Sequence, residues 1–194
     1  MLKKVKSLWA RYWLRDAKFS SRYPDLERLY TVRDPWNLDD PREAIRFAGT
    51  NAIIRVQSPT CAELLELGCG EGAQTAHLRN VSKSVVGLDV SSTAVARAKK
   101  RYPGGEFHAG RAEDIGTIFI GRRFDVITAC EVLYYSDDVA TILDAMKAAS
   151  NLIVVTSYSD RVERLRPHLS GEGWSRVDDI VAQDLRWEAY IWRA

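Results

Sequence analysis

The residues best suited to chemistry begin with a glycine loop. Gly68, Gly70 and Gly72 stand at alternate positions after the apolar run 64–67 and before a segment, 73–78, that is able to form a helix. A strand, a glycine loop and a helix in this order are typical of a ligand-binding turn. Glycine permits a tight turn and leaves backbone N–H groups open to a ligand at the positive end of the helix. We therefore expect this loop to bind a cofactor.

Two classes of cofactor fit the spacing around this loop. Gly68, Gly70 and Ala73 satisfy the loose dinucleotide pattern. Asp89 follows Gly68 by 21 residues, where a carboxylate accepts hydrogen bonds from ribose hydroxyls. This spacing alone leaves a nicotinamide cofactor open. Glu66 in front of the glycines, the tight Gly-x-Gly-x-Gly pattern and acidic residues downstream together resemble class I methyltransferases. This resemblance implies S-adenosylmethionine (SAM) as the cofactor, which has a ribose and an adenine but no pyrophosphate.

Acidic and aromatic side chains also follow a predicted strand at 124–129. Glu131 comes first, and Tyr134 and Tyr135 come after it. Transfer of a methyl group from a sulfonium is an in-line displacement, so an enzyme has to align the acceptor and exclude water. A carboxylate at this place would orient the acceptor or take its proton. Glu131 and Tyr134 are therefore the candidate catalytic residues, although the two tyrosines also fit a hydrophobic core.

Apolar strands and amphipathic helices alternate from residue 62 onward. Five strands are predicted, the first ending at Leu67 and the others at 85–88, 106–108, 124–129 and 151–156. Helices are predicted at 91–102, at 137–149 and around 160–168. This alternation implies a parallel sheet with a ligand crevice at the carboxyl ends of the strands. Two final strands, 174–185 and 186–193, lie too close together for a crossover, so they are predicted to be antiparallel.

The first 58 residues are predicted to form a helical cap or lid on a core of residues 59–194. Residues 1–23 carry seven basic residues against one acidic residue, a net charge of +6, and their tryptophans lie on one apolar side of a helical pattern. This basic helix would pack on the domain, or bind a partner or a membrane surface. A later helix is predicted to begin at Pro41, with Asp40 as its N-cap.

The composition does not indicate a nucleic-acid partner, because the net charge of the whole chain is only +2.

The chain has three cysteines, Cys61, Cys69 and Cys130, an odd number without metal-ligand spacing. We therefore expect reduced thiols in a cytoplasm and no metal site. No segment is expected to act as a signal peptide or to span a bilayer. We predict a cytoplasmic protein whose only membrane contact would be peripheral, through the basic amino-terminal helix.

Three motifs carry a resemblance to a known family. They are Asp34-Pro35-Trp36, Glu66-Leu67-Gly68-Cys69-Gly70 and Glu131-Val132-Leu133-Tyr134-Tyr135. Together they resemble the nodulation-factor N-methyltransferases, class I SAM-dependent enzymes that methylate an amine on a chitooligosaccharide. The resemblance implies an α/β fold with a Rossmann-like seven-stranded sheet, and SAM as cofactor with S-adenosylhomocysteine (SAH) as product. It covers about 34–157 and does not extend to the loops that select the acceptor.

The resemblance also implies roles for individual residues. Trp36 and Arg46 would help to close and bind the cofactor, with Arg46 on the methionine carboxylate. Asp114, or less favourably Glu113, would accept a hydrogen bond from the adenine amine beside a main-chain N–H. The full set of predicted cofactor-binding residues is Trp36, Arg46, Glu66, Gly68, Cys69, Gly70, Gly72, Asp89, Val90, Asp114, Ile115 and Glu131.

The predicted activity is transfer of a methyl group from SAM to an amine or hydroxyl of a small molecule or glycan. Two alternatives are a non-catalytic SAM-binding partner subunit and a nicotinamide-dependent reductase. Methylation of nucleic acid is not favoured, because the segment 131–134 differs from the Asn/Asp-Pro-Pro-aromatic motif of enzymes that methylate amino groups of nucleic acids.

Overall fold

The computed structural model describes residues 23–194. Most of the basic amino-terminal helix predicted at 1–23 therefore lies outside the described residues. The helices and strands follow one another in the order α1 (Tyr23–Leu29), α2 (Pro41–Gln57), β1 (Glu63–Leu67), α3 (Thr75–Leu78), β2 (Ser84–Asp89), α4 (Ser92–Arg101), β3 (Glu106–Ala109), α5 (Ile115–Ile118), β4 (Val126–Cys130), α6 (Val139–Ala149), β5 (Leu152–Tyr158), β6 (Trp174–Ala182) and β7 (Leu185–Arg193).

The seven strands form one sheet in the order β3-β2-β1-β4-β5-β7-β6. Neighbouring strands from β3 to β5 are parallel, whereas β7 is antiparallel to both β5 and β6. The predicted parallel sheet with an antiparallel carboxyl-terminal hairpin is confirmed. The winding of the sheet reverses between β1 and β4, and such a switch point opens a ligand crevice outside the carboxyl ends of the strands.

Side chains cover both faces of the sheet, which explains why its central strands are almost continuously apolar. On one face, Leu65 of β1 belongs to the same core cluster as Met146 of α6. On the other face, Leu64 belongs to a cluster with Ile54 of α2 and Leu78 of α3. All five side chains are fully buried, and burial of each contributes about 1.5–3 kcal/mol. This packing fixes the end of β1, where the glycine loop begins.

Helix α2 begins as predicted and packs on the sheet. The side chain of Asp40 accepts a hydrogen bond from the backbone N–H of Arg42 at 2.9 Å, which satisfies one of the free N–H groups at the start of the helix. Near the other end of the helix, Ile54 is part of the sheet core.

The division of the chain into a cap of residues 1–58 and a core of residues 59–194 stays a prediction.

Two predicted helices differ from the structure. The segment after the glycine loop forms only the single turn Thr75–Leu78. The prediction of a helix around 160–168 is wrong, because that segment consists of turns and one short 3-10 helix, Arg166–His168. Three buried apolar side chains between 162 and 169 recur at a helix-like spacing. Single hydrogen bonds between residues four apart occur on either side of Pro167, but Pro167 has no N–H to continue the series, so no regular helix forms.

Candidate cofactor and acceptor site

A cavity of about 290 Å³ lies at the carboxyl ends of β1, β2 and β4, where the sheet topology predicts a crevice. Most of the predicted site residues line it, namely Trp36, Arg46, Glu66, Gly68, Cys69, Gly70, Asp89, Val90, Glu131 and Tyr134. Gly72, Asp114 and Ile115 are not among the lining residues. The fold therefore brings together residues that are separated by up to 98 positions in the sequence.

Two glycines of the loop are required by the backbone and by the space around it. Gly68 and Gly70 have φ values of +68° and +53°, in the left-handed region that other residues rarely adopt. A Cβ at Gly68 would clash with Val132, and one at Gly70 would lie 2.9 Å from the hydroxyl of Tyr30. Gly72 has a φ of +82° and shapes the same turn from outside the cavity.

Asp89 ties the end of β2 to the glycine loop. Its Oδ2 accepts a hydrogen bond from the N–H of Gly70 at 2.8 Å, and its Oδ1 accepts one from the N–H of Ser91 at 2.8 Å. Burial raises the pKa of this carboxyl to about 6, against the opposite effect of the two N–H groups. Each oxygen keeps a further lone pair, so the carboxylate is able to accept hydrogen bonds from a ligand as well.

Arg46 is a buried cation beside the glycine loop. The residue is only 2% exposed. Its Nε donates to Glu43 Oε2 at 2.7 Å, and its Nη1 donates to Gln74 Oε1 at 3.0 Å. Burial lowers the pKa of Arg46, but the negative charges of Glu43 and Glu131 outweigh this effect and raise the pKa above its ordinary value. The guanidinium therefore stays protonated. A buried guanidinium has five donors and is suited to a carboxylate ligand.

Glu66 lies at the end of β1 and is 4% exposed. The hydroxyl of Thr75 donates to its Oε2. Burial raises the pKa of Glu66 to about 8, whereas Thr75 and the positive charge of Arg46 lower it. A cationic ligand group beside this carboxyl would favour its ionised form.

Glu131 has a strained backbone and an unpaired oxygen. Its φ of +60° is unusual for a residue with a side chain, and its N–H is held by the carbonyl of Thr156 in β5 at 2.9 Å. Oε2 accepts a hydrogen bond from the hydroxyl of Tyr134 at 3.1 Å. Oε1 is buried and has no hydrogen-bond partner within residues 23–194. Burial raises the pKa of Glu131 to about 7, although Arg46 lowers it.

Three aromatic rings form a wall beside Glu131. The ring centroids of Trp36 and Tyr135 are 5.4 Å apart, and those of Tyr134 and Tyr135 are 4.5 Å apart. All three residues line the cavity. The ring of Tyr134 also packs against the main hydrophobic core. Tyr134 thus supports the core with its ring and contacts Glu131 with its hydroxyl.

Helix α1 covers the cavity on the side of β2 and β3. The hydroxyl of Tyr23 lies 2.7 Å and 2.8 Å from the two carboxylate oxygens of Glu113. Glu27 accepts a hydrogen bond from the hydroxyl of Thr93, at the start of α4, at 2.5 Å. Tyr30, directly after α1, lines the cavity together with Tyr23. Sequence reasoning missed Tyr23, Glu27 and Tyr30, although Tyr23 and Glu27 are four residues apart and share one face of α1.

The two acidic candidates after β3 have different surroundings. Glu113 is held by Tyr23 and by Arg111, whose Nη2 donates to it at 3.2 Å. Asp114 is exposed and lies outside the cavity lining, and Ile115 is fully buried in the hydrophobic core. The predicted contacts of Asp114 and Ile115 with adenine stay predictions, and no contact of the described cavity supports them.

The three cysteines are separate free thiols. Burial raises the pKa of each of them, so they are poor nucleophiles in this structure. Within residues 23–194, no group of three or more His, Cys, Asp or Glu side chains is arranged to hold a metal ion.

A large part of the chain matches a known protein family. Residues 22–165, more than half of the chain, match the family described as Nodulation protein S (NodS). The chain belongs to the NodS family. Nodulation protein S of Sinorhizobium fredii (strain NBRC 101917 / NGR234) is 32% identical to it over 158 residues, which are 78% of this chain and 73% of that protein.

This NodS family member is also similar to an amino-sugar N,N-dimethyltransferase and to a protein of solved structure. The dTDP-3-amino-3,6-dideoxy-alpha-D-glucopyranose N,N-dimethyltransferase of Streptomyces fradiae is 37% identical over 90 residues, which are 46% of this chain and 33% of that protein. N-methyltransferase NodS from Bradyrhizobium japonicum WM9, solved in complex with SAH, has a TM-score of 0.70 at 27% identity, covering 88% of this chain and 97% of that chain. The family and the fold make this protein a SAM-dependent methyltransferase of the NodS type, which confirms the resemblance carried by the three motifs.

Proposed function

We propose that this NodS family member transfers the methyl group of SAM to an amine on a sugar or another small molecule. The observation that carries the proposal is the unpaired, buried oxygen of Glu131 in a cavity with an aromatic wall. An amine is the acceptor that such an oxygen favours, because it offers N–H donors and carries a positive charge when protonated. The names of relatives support this acceptor class, since they include an N-methyltransferase and an amino-sugar N,N-dimethyltransferase.

The polar groups of the cavity fit SAM. We propose that Asp89 accepts hydrogen bonds from the ribose hydroxyls and that Gly68 and Gly70 let the ligand approach the backbone of the loop. Arg46 would bind the carboxylate of the methionine part, and the carboxylate of Glu66 would attract the ammonium group of the same part. When bound, SAM supplies a methyl group on a positively charged sulfur.

The residues at the end of β4 would prepare the acceptor. We propose that Glu131 orients the amine through Oε1 and accepts a proton from it, while the hydroxyl of Tyr134 holds Oε2 in place. A pKa near 7 suits this task at neutral pH. Trp36 and Tyr135 would stack on the apolar face of a sugar ring and exclude water from the site.

A labelled-methyl transfer assay tests the proposal. Purified protein and methyl-labelled SAM are incubated with amino sugars, with the same sugars N-acetylated, and with sugars that have only hydroxyl groups. We expect label only in the sugars with a free amine. Label in the N-acetylated or hydroxyl-only sugars would contradict an amine acceptor. Tight SAM binding without transfer to any acceptor would favour the non-catalytic partner subunit instead, and binding of NAD in place of SAM would favour the reductase.

The role of the basic segment 1–23 is also part of the proposal. We propose that it packs on the domain near the acceptor side, because the turn at 34–36 leads the chain to the cavity that Trp36 lines. Within the described part of the chain, no helix is both long and apolar enough to cross a lipid bilayer. Sedimentation with anionic vesicles is the test. Salt-sensitive binding that disappears when residues 1–18 are deleted would contradict packing on the domain and favour peripheral membrane contact.

A further inference from the structure

The side chain of Gln74 lies in the cavity and was not among the residues singled out from the sequence. It lies two residues after Gly72, it is 7% exposed, and it lines the cavity. Its Oε1 accepts a hydrogen bond from Nη1 of Arg46 at 3.0 Å. Because a guanidinium only donates, the amide atom that faces Arg46 has to be the oxygen. The amide nitrogen is therefore directed away from Arg46.

The amide nitrogen of Gln74 is a buried donor without a strong acceptor. Nε2 has no hydrogen-bond partner within residues 23–194. The polar group beside this side chain is the thiol of Cys130, and sulfur is only a weak acceptor. A buried donor left without a strong acceptor is costly. The neighbouring guanidinium of Arg46 has more N–H donors than its bonds to Glu43 and Gln74 use. The donors of Gln74 and Arg46 together indicate that an anionic ligand group binds between the two side chains.

We propose that Gln74 and Arg46 together form the site that binds the carboxylate of the cofactor. Arg46 supplies the charge, and Gln74 supplies a neutral donor from the neighbouring loop while it holds the guanidinium in place. This inference rests on the proposed function, because it assigns a further cofactor-binding residue to the same site. It predicts that Gln74 distinguishes ligands that have the carboxylate from ligands that lack it.

Calorimetric binding of SAH and of its decarboxylated analogue tests this inference without requiring turnover. We expect Gln74→Leu to weaken SAH binding about 10- to 100-fold, the range for losing a hydrogen bond to a charged group. Binding of the decarboxylated analogue should change little. The same substitution at Gln183, which is exposed in the hairpin turn between β6 and β7, is the matched control and should leave both affinities unchanged.

A second variant keeps an acceptor for Arg46 and replaces the Nε2 donor with a carboxylate oxygen. In a direct contact, Gln74→Glu would set a carboxylate oxygen against the carboxylate of SAH where Nε2 donated, so it should weaken SAH binding at least as much as Gln74→Leu. Wild-type affinity for SAH in Gln74→Glu would overturn the direct contact. An equal loss for both ligands in Gln74→Leu would overturn the assignment to the carboxylate while leaving the proposed function intact. Failure of the wild-type protein to bind SAH at all would overturn the cofactor site itself, together with this inference.

Discussion

Replacing Glu131 with glutamine should lower methyl transfer and yet stabilise the protein at alkaline pH. The pKa of Glu131 is raised from 4.5 to about 7, with burial as the largest cause. Below pH 4.5 the carboxyl is protonated in both the folded and the unfolded chain. Between pH 4.5 and about 7 the unfolded chain releases the proton and the folded chain keeps it, so the free energy of unfolding falls as the pH rises.

The size of this effect follows from the shift. One pKa unit corresponds to about 1.4 kcal/mol, so a rise from 4.5 to about 7 costs the folded state up to about 3 kcal/mol above pH 7. A glutamine side chain has no ionised form, so Glu131→Gln removes this cost. The difference in stability between variant and wild type should be smallest near pH 4, grow from pH 4.5 to 7 in favour of the variant, and remain constant above pH 7.

Urea denaturation at a series of pH values measures this difference, with the slope m checked for constancy. The control is Glu172→Gln, since Glu172 is exposed in the turn before β6. Methyl transfer by Glu131→Gln is measured in parallel and should fall, while SAH affinity changes much less. A stability difference that stays flat from pH 4.5 to 8 would refute the reasoning, because it would mean that the folded chain ionises Glu131 as readily as the unfolded chain does.

Three further predictions concern the ligand and the residues around it. SAM and SAH should raise the melting temperature, whereas NAD should not; thermal denaturation with each ligand decides this, and stabilisation by NAD alone would contradict the cofactor assignment. Asp89→Asn should weaken SAH binding by about 1–3 kcal/mol in calorimetry, because it removes a charged acceptor, and an unchanged affinity would exclude Asp89 from the site. Tyr134→Phe should lower kcat more than it lowers SAH affinity, since the lost hydroxyl holds Glu131; a loss of folding with no separate kinetic effect would mean that Tyr134 acts only in the core.

The sheet and the glycine loop were predictable from the sequence for clear physical reasons. Buried parallel strands have to be apolar on both faces, so runs such as 152–156 identify them directly. The loop is recognisable because Gly68 and Gly70 combine a left-handed backbone with surroundings too close for a Cβ, and glycine meets both conditions. The turn segment around 160–168 was mistaken for a helix, because buried side chains between 162 and 169 follow a helical spacing although Pro167 has no N–H to continue a series of helical hydrogen bonds.

Long-range contacts of the site were not predictable in the same way. The hydrogen bond between Tyr23 and Glu113 joins residues 90 positions apart, and no local pattern indicates it. The left-handed backbone of Glu131 is equally hidden, since glutamate has no preference for that conformation and the partner of its N–H, the carbonyl of Thr156, is 25 residues away in the chain. Gln74 was overlooked because a neutral side chain after a glycine loop gives no chemical signal until its partner Arg46 is known.

The buried ionisable groups of the cavity suit a charged ligand but lower the stability of the folded protein. Arg46, Glu66 and Glu131 are taken from different elements and brought into one buried region, where apolar side chains of similar size would usually be at least as stable. The raised pKa values of Glu66 and Glu131 show that the positive charge of Arg46 only partly offsets their desolvation. In the proposed function, SAM would offer its carboxylate to Arg46 and its ammonium group to Glu66, and a protonated amine acceptor would offer a positive charge to Glu131. Preorganised charges of this kind require no rearrangement when the ligand arrives, so the cost of burying them is met during folding and not during the reaction.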